Sequence, residues 1–257
     1  MLNPNQLRIK VLNMVYTKKS GHIGGSFSIA ELISVLYSNY DVCGGKDKLI
    51  LSKGHAVPIL YAALHEIGKL SDEDLDLFRE IDSPLQGHPD KLKLPLMDAT
   101  TGSLGQGLSI GIGHALAKKI KKESGKVFCI LGDGEIQEGQ NWEAIMYAPK
   151  ENLDNLICII DYNKGQSEGS PDETLPIYNN LAQKVSSFGW DCKDIDGHDL
   201  SSIETSIQNT SSTKPTFIIL NTLKGKGVSF IEKEKWHSLI PNAEQYEMAL
   251  EELRGLL

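Results

Sequence analysis

The sequence has few cysteines, and none of them stands in a paired spacing. The four, Cys43, Cys129, Cys158 and Cys192, lie far apart along the chain, so neither a CxxC redox motif nor a zinc site built on cysteine pairs is indicated. Cys129 and Cys158 fall inside apolar runs, which predicts buried thiols rather than metal ligands.

The sequence also lacks an excess of positive charge and any long apolar run. It has 26 Lys and Arg against 34 Asp and Glu, a formal net charge of −8, and its lysines are dispersed, which argues against a nucleic-acid partner. No window approaches the roughly 20 apolar residues of a membrane-spanning helix, and Met1 to Lys10 contain no apolar signal region. We therefore expect a cytoplasmic protein without a membrane partner.

Short apolar runs alternate with segments of helical spacing along most of the 257 residues. This alternation predicts an α/β fold, a doubly wound parallel sheet flanked by helices, in one domain over residues 1–257. The predicted strands are Lys48–Leu51, Val127–Leu131, Leu156–Ile160, Trp190–Ile195 and Thr216–Asn221. The main predicted helices are Leu7–Lys18, Ile29–Ser38, Pro58–Glu66, Gln137–Tyr147, Ile177–Phe188, Leu200–Gln208 and Asn242–Leu253.

Three local features carry further structural expectations. Ser20 to Ser26 is too rich in glycine to predict a helix, and Ser28 is placed to cap the helix that follows it. The segment Thr100 to Gly107 leads into a helix of small residues that ends near Lys122. Its glycines are costly in a helix unless another backbone packs closely against them: Gly105, Gly107, Gly111 and Gly113.

Two predicted strands each end in a metal-binding type of residue. The run Val127 to Leu131 leads into Gly-Asp-Gly around Asp133, and Leu156 to Ile160 leads to Asn163. Because the carboxyl ends of parallel strands meet at one edge of a sheet, Asp133 and Asn163 should share a crevice. Carboxylate and amide oxygens suit Mg²⁺ or Ca²⁺, and the glycines let backbone approach a ligand's phosphates. The pattern predicts a metal-diphosphate site.

Three histidines, His22, His55 and His88, each follow a glycine in a predicted loop. A single loop histidine is more often a solvated surface residue than a catalytic one. Three in the same local context favour proton transfer, because imidazole exchanges protons near neutral pH. Three others lack this context and are not assigned to the site: His65, His114 and His198.

Taken together, the motifs resemble the diphosphate-binding half of transketolase. They are SGHIGGS, SKGHA, QGHP, TTGSLGQG, LGDGEIQEGQNWEA, DYNKGQSEG, DGHD and TLKGKGVSF, in this order over nearly the whole chain. The resemblance is closer to the N-terminal subunits of split transketolases, in which two polypeptides make up the enzyme. It implies the thiamine-diphosphate-binding fold and transfer of a two-carbon ketol unit from a ketose to an aldose.

The resemblance also implies roles for individual residues. Asp133, Asn163 and the backbone carbonyl of Gly165 would bind Mg²⁺, or Ca²⁺ or Mn²⁺ in its place. His22 and His88 would face the sugar hydroxyls, and His237 would lie near the diphosphate and the substrate carbonyl. The cofactor-binding residues would be His55, Gly102, Ser103, Leu104, Gly132, Asp133, Gly134, Glu135 and Asn163.

An active site of this kind needs a second polypeptide, because the resemblance stops before the pyrimidine-binding domain of full-length transketolases. We expect a C-terminal subunit that carries this domain as partner, self-association to an α₂β₂ assembly, and sugar or sugar-phosphate substrates. Glu138 and Glu143 match an acidic pair that lies between two active sites in the family. They are also explained as ordinary exposed carboxylates of a helix.

Departures from the family pattern leave the donor sugar open. Ser167-Glu168 replaces a common Ile-Asp pair, Gly165 replaces a large aliphatic residue, and Ser238 replaces a glycine. The alternatives are a subunit of another thiamine-diphosphate enzyme, such as a 2-oxo-acid dehydrogenase or a deoxyxylulose-phosphate synthase-like protein, and a non-catalytic cofactor-binding subunit. The three Gly-His loops argue against a 2-oxo-acid dehydrogenase subunit, and they favour a catalytic role over a non-catalytic one.

Overall fold

A parallel sheet of five strands forms the centre of the molecule. The computed structural model describes residues 1–166, 169, 174–175, 179–234 and 236–257. The strands lie in the order β1-β2-β3-β5-β4 and all neighbouring pairs are parallel. Their bounds are β1 Lys48–Leu51, β2 Val127–Gly132, β3 Leu156–Tyr162, β4 Asp191–Asp196 and β5 Thr216–Asn221. The predicted α/β fold with a parallel sheet flanked by helices is confirmed.

Helices cover both faces of the sheet and follow its strands along the chain. In the described residues they are α1 Pro4–Lys18, α2 Gly24–Phe27, α3 Ala30–Asn39, α4 Pro58–Glu66, α5 Asp72–Asp76, α6 Gly107–Lys121, α7 Gly139–Lys150, α8 Leu181–Ser187, α9 Leu200–Gln208, α10 Ser229–Glu234 and α11 Ala243–Arg254. No helix in this part of the chain has both the length and the apolar character needed to cross a bilayer.

The sheet is buried on both faces because its side chains alternate between two apolar clusters. Phe128 and Ile130 of β2 pack in the cluster that includes α1, α3 and α4. Cys129 and Leu131 point the other way, into the cluster with α6 and α7. This two-sided burial explains why the strands read as continuous apolar runs rather than as an alternating pattern. Each apolar side chain removed from water in this way stabilises the fold by roughly 1.5–3 kcal/mol.

Two expectations near the amino terminus are wrong. A short helix, α2, forms over Gly24–Phe27 despite its glycines. Ser28 does not cap α3, which has no side-chain cap; its hydroxyl donates instead to Asp161 Oδ2 at 2.6 Å. In both places a contact with a segment distant in sequence outweighs the local preference. The start of the predicted helix Ile177–Phe188, and the pair Ser167-Glu168, lie outside the described residues.

The glycines of α6 differ in how closely they are packed. A Cβ at Gly107 would lie 2.3 Å from the Cβ of Ser52 and 2.8 Å from its Cα, so this position requires glycine. A Cβ at Gly113 would meet no described atom within 4 Å. The expectation of close backbone packing therefore holds at Gly107 and is wrong at Gly113.

Candidate active site

The carboxyl ends of four strands meet in one crevice. Lys53 and His55 follow β1, Asp133 follows β2, Asn163 follows β3 and Lys224 follows β5. The crevice is lined by Gly25, Lys53, His55, Leu104, Gly132, Asp133, Gly134, Glu135, Asn163, Gly165, Gln166, Lys224 and His237. This is the edge at which parallel α/β sheets bind their ligands.

Asp133, Asn163 and Gly165 converge at this edge. The backbone N–H of Gly165 donates to Asp133 Oδ2 at 3.2 Å and to Asn163 Oδ1 at 3.1 Å, while Gly134 N donates to Asp133 Oδ1 at 2.8 Å. Burial, and then the nearby carboxylate of Asp161, raise the pKa of Asp133 to about 6. A cation at this point would favour the ionised carboxylate.

This oxygen set fits a hard divalent metal. It consists of one carboxylate, one amide oxygen and one backbone carbonyl, which are donor types that Mg²⁺ and Ca²⁺ accept. The carbonyl of Gly165 receives a hydrogen bond from Lys224 Nζ at 2.6 Å and retains a second lone pair. Within the described residues no three His, Cys, Asp or Glu side chains group as metal ligands.

Three histidines form a triangle beside the crevice. The ring centroids of His22, His55 and His237 lie 5.0–5.2 Å apart. Burial, and then neighbouring charges, lower the pKa of His22 and His237 to about 4, and the same causes hold the pKa of His55 well below its usual range. All three rings are therefore neutral at pH 7, and a neutral imidazole offers one donor and one acceptor.

Two features of these rings suit a ligand with polar groups. His22 Nδ1 is buried and has no hydrogen-bond partner among the described residues, although buried polar atoms are normally paired. His237 Nδ1 lies 3.2 Å from Lys224 Nζ, which places an ammonium group beside the crevice. A polyanionic ligand with polar groups fits both features.

His88 lies on a separate loop near the triangle. Its ring packs against Gly102. Burial, and then the charge of Arg79, lower its pKa, and His88 in turn contributes to the lowered pKa of His22. His22 and His88 therefore lie within electrostatic reach of each other.

The remaining predicted site residues differ in position. Leu104 lines the crevice and is 37% exposed, and Gly102 and Ser103 precede it in the same loop. The carboxylate of Glu135 is buried and accepts from Ser52 Oγ, from Gly105 N at 2.9 Å and from Gly132 N at 3.0 Å. Its oxygens thus hold three loops together. Glu138, which directly precedes helix α7, and Glu143 within that helix are both exposed.

Sequence reasoning missed several residues of this region. Lys53 and Lys224 are buried and line the crevice, and Asp161 is buried next to Asn163. The only sequence signal is a charged residue next to an apolar run. His198 is not assigned to the site by its sequence context, but it supports a loop of the crevice. Its Nε2 accepts from Leu223 N at 2.8 Å and its Nδ1 lies 3.1 Å from Glu31 Oε2, so it anchors the loop that carries Lys224.

Comparison with known proteins identifies the family of this chain. The profile described as "Transketolase, thiamine diphosphate binding domain" matches residues 2–250. The chain belongs to the transketolase family. Its membership confirms the resemblance seen in the motifs and identifies this transketolase domain as one that binds thiamine diphosphate.

Some proteins that match this transketolase chain have about its length, and others are more than twice as long. An apulose-4-phosphate transketolase subunit of Phocaeicola vulgatus is 37% identical, over 98% of this chain and 92% of that protein. The 6-deoxy-6-sulfo-D-fructose transketolase subunit SqwG of a Clostridium species is 39% identical, over 97% and 94%. The crystal structure of Campylobacter jejuni transketolase superimposes with a TM-score of 0.91 at 33% identity, but this chain covers only 42% of it.

Proposed function

We propose that this chain is the thiamine-diphosphate-binding subunit of a two-subunit transketolase, which transfers a two-carbon ketol unit from a ketose to an aldose. The observation that carries the proposal is the agreement in length with two transketolase subunits, of which the chain covers 92% and 94%. The cluster of neutral histidines beside the crevice favours a catalytic subunit over one that only binds the cofactor.

The cofactor would be held at the carboxyl edge of the sheet. Asp133, Asn163 and the carbonyl of Gly165 would bind Mg²⁺, or Ca²⁺ or Mn²⁺ in its place, which in turn would hold the diphosphate. Thiamine diphosphate supplies the carbanion chemistry that cleaves and forms the carbon–carbon bond. The remaining residues proposed to line the cofactor are His55, Gly102, Ser103, Leu104, Gly132, Gly134 and Glu135.

The histidines would bind the sugar and transfer its protons. A neutral imidazole can donate to one hydroxyl oxygen and accept from another, which suits His22 and His88 to binding a polyol and moving its protons. His237 would act nearer the carbonyl, with its Nδ1 beside Lys224. The two subunit relatives are named for different substrates, apulose 4-phosphate and 6-deoxy-6-sulfo-D-fructose. Because one carries a phosphate and the other a sulfonate at its end, the proposed donor class is a ketose with a terminal anionic group.

Completing the site would take a partner subunit with the pyrimidine-binding domain. We propose an α₂β₂ assembly in which two copies of this chain also contact each other. Exposed apolar residues on α7, Met146 at 52% and Tyr147 at 40%, support a contact surface there. Glu138 and Glu143 lie on or next to the same helix.

Reconstitution tests this function. The chain and a candidate partner, a chain of about 300 residues with the pyrimidine-binding domain, are purified separately and mixed with thiamine diphosphate, Mg²⁺, a panel of ketoses and an aldose acceptor. We expect ketol transfer only from the mixture. Substantial transfer by the isolated chain would contradict the two-subunit proposal, and cofactor binding without transfer in any combination would favour a non-catalytic role.

A further inference from the structure

Asp161 is a buried hydrogen-bond acceptor at the centre of four chain segments. It lies at the end of β3 and is 0% exposed. Its Oδ2 is 2.6 Å from Ser28 Oγ, 2.6 Å from Lys53 Nζ and 2.6 Å from Asn163 Nδ2, and its Oδ1 accepts from Thr222 Oγ1. A carboxylate so buried keeps its charge because it is paired with Lys53 and hydrogen-bonded at both oxygens.

This arrangement decides which way the amide of Asn163 faces. An amide has a donor end and an acceptor end, whereas an ionised carboxylate only accepts. The –NH₂ group of Asn163 must therefore point to Asp161, and Oδ1 points to Gly165 N at 3.1 Å, at the proposed metal site. The reversed amide would set oxygen against the Asp161 carboxylate and –NH₂ against the Gly165 N–H.

We propose that Asp161 is a positioning residue, which turns the amide oxygen of Asn163 toward the divalent metal of the cofactor. This inference rests on the proposed function, because it concerns the same metal. Asp161 lies behind Asn163 and acts through it. The pair with Lys53, whose Nζ also donates to Gly25 O at 2.6 Å, fixes the position of the carboxylate.

The proposal predicts an unusual result for Asn163→Asp. A carboxylate is ordinarily a better ligand for Mg²⁺ than an amide, so the substitution alone should strengthen binding. Here one oxygen of the new carboxylate would face Asp161 Oδ2, which lies 2.6 Å from Asn163 Nδ2 in the wild-type chain, and the repulsion of like charges would turn or tilt the ligand. We expect Mg²⁺ affinity to fall by about tenfold to a hundredfold, as for other residues that orient metal ligands.

A double-mutant cycle isolates the pair. Asp161→Asn keeps the shape of the side chain but weakens its control of the amide, so Mg²⁺ affinity should fall by about tenfold. The double variant Asp161→Asn with Asn163→Asp removes the repulsion, and it should bind Mg²⁺ more tightly than Asn163→Asp alone. Thr222→Val is the matched control. It removes another partner of Asp161, on the oxygen that Asn163 does not contact, and should leave Mg²⁺ affinity within about twofold.

Calorimetric titration with Mg²⁺ measures the Mg²⁺ affinity of all variants. Each titration uses the chain together with its partner at saturating thiamine diphosphate. Thermal unfolding confirms that each variant is folded. Asp133→Ala serves as reference and should abolish Mg²⁺ binding. Retained binding in Asp133→Ala would overturn the metal site and, with it, the proposed function. Lost binding in Asp133→Ala, combined with wild-type or tighter binding in Asn163→Asp, would overturn the role of Asp161 alone. Should Asn163→Asp not fold, wild-type affinity in Asp161→Asn would overturn it equally.

Discussion

At the scale of single residues, the roles proposed for His22 and His88 predict an effect on sugar chemistry without an effect on cofactor binding. His22→Ala and His88→Ala should each lower turnover strongly, because they remove a proton carrier for the sugar, and should leave cofactor affinity nearly unchanged. Steady-state kinetics of the reconstituted enzyme, with calorimetry for the cofactor, measure both quantities. His65→Ala is the control, since His65 pairs with Asp72 outside the crevice. A variant at His22 or His88 with wild-type turnover would remove that residue from the proposed site.

The same histidines make stability depend on pH. The pKa of His22 is about 4 in the folded chain against an ordinary 6.5, and burial is the main cause. Between these values the unfolded chain binds more protons, so the free energy of unfolding should fall as the pH is lowered from about 6.5 to about 4. His22→Asn removes one such group, so its free energy of unfolding should change less steeply with pH than that of the wild type.

Urea denaturation of the chain without metal, at several pH values in this window, measures both slopes. Wild type must be compared with His22→Asn because other groups also titrate in this window. Asp133 and Glu135 have raised pKa values, so their contribution to the pH dependence of the free energy of unfolding has the opposite sign. Equal slopes for wild type and His22→Asn would show that His22 titrates normally.

At the scale of elements, helix α6 offers a matched pair of substitutions. Gly113→Ala should raise the free energy of unfolding by roughly 0.5–1 kcal/mol, because alanine favours the helix and its Cβ meets no described atom within 4 Å. Gly107→Ala should lower it by about 1–3 kcal/mol, because the new methyl group would overlap Ser52. Chemical denaturation measures both, and a stabilised Gly107→Ala would contradict the packing described here.

The strands were predictable from sequence and several polar contacts were not. A strand buried on both faces reads as a continuous apolar run, so β2, β3 and β5 stand out from their neighbours. Asp133 and Asn163 were predictable because each directly follows such a run. The prediction of Ser28 as a helix cap is wrong because its partner, Asp161, lies 133 residues away.

Glycine contacts were equally hidden from sequence. A Cβ at Gly24 would lie 1.9 Å from the backbone oxygen of Trp236, near the other end of the chain. No local pattern reports such an approach, and a glycine-rich segment reads as a loop. The role of Asp161 is hidden for a related reason, since a carboxylate at the end of a strand looks like a surface residue until its four partners are in place.

At the scale of the whole molecule, assembly is the measurable property. We expect the chain alone to self-associate and the mixture with its partner to form an α₂β₂ complex, because the proposed active site would be completed by the partner subunit. Sedimentation of each protein and of the mixture gives the masses. Met146→Lys, which places a charge on an exposed apolar residue of α7, should weaken self-association and leave the fold intact. A monomeric wild-type chain that is active with its partner would contradict the proposed contact between copies.

The order β1-β2-β3-β5-β4 also constrains how the chain folds during synthesis on the ribosome. β4 leaves the ribosome before β5 but occupies the edge beyond it, so it has no neighbour in the sheet until residues 216–221 have emerged. Until then β3 presents an open edge, which is a template for pairing with other chains. Lys224 and His237 emerge later still. The nascent polypeptide therefore cannot assemble its ligand-binding edge until the residues up to His237 have emerged, and termination of translation before β5 would leave the edge of β3 unpaired.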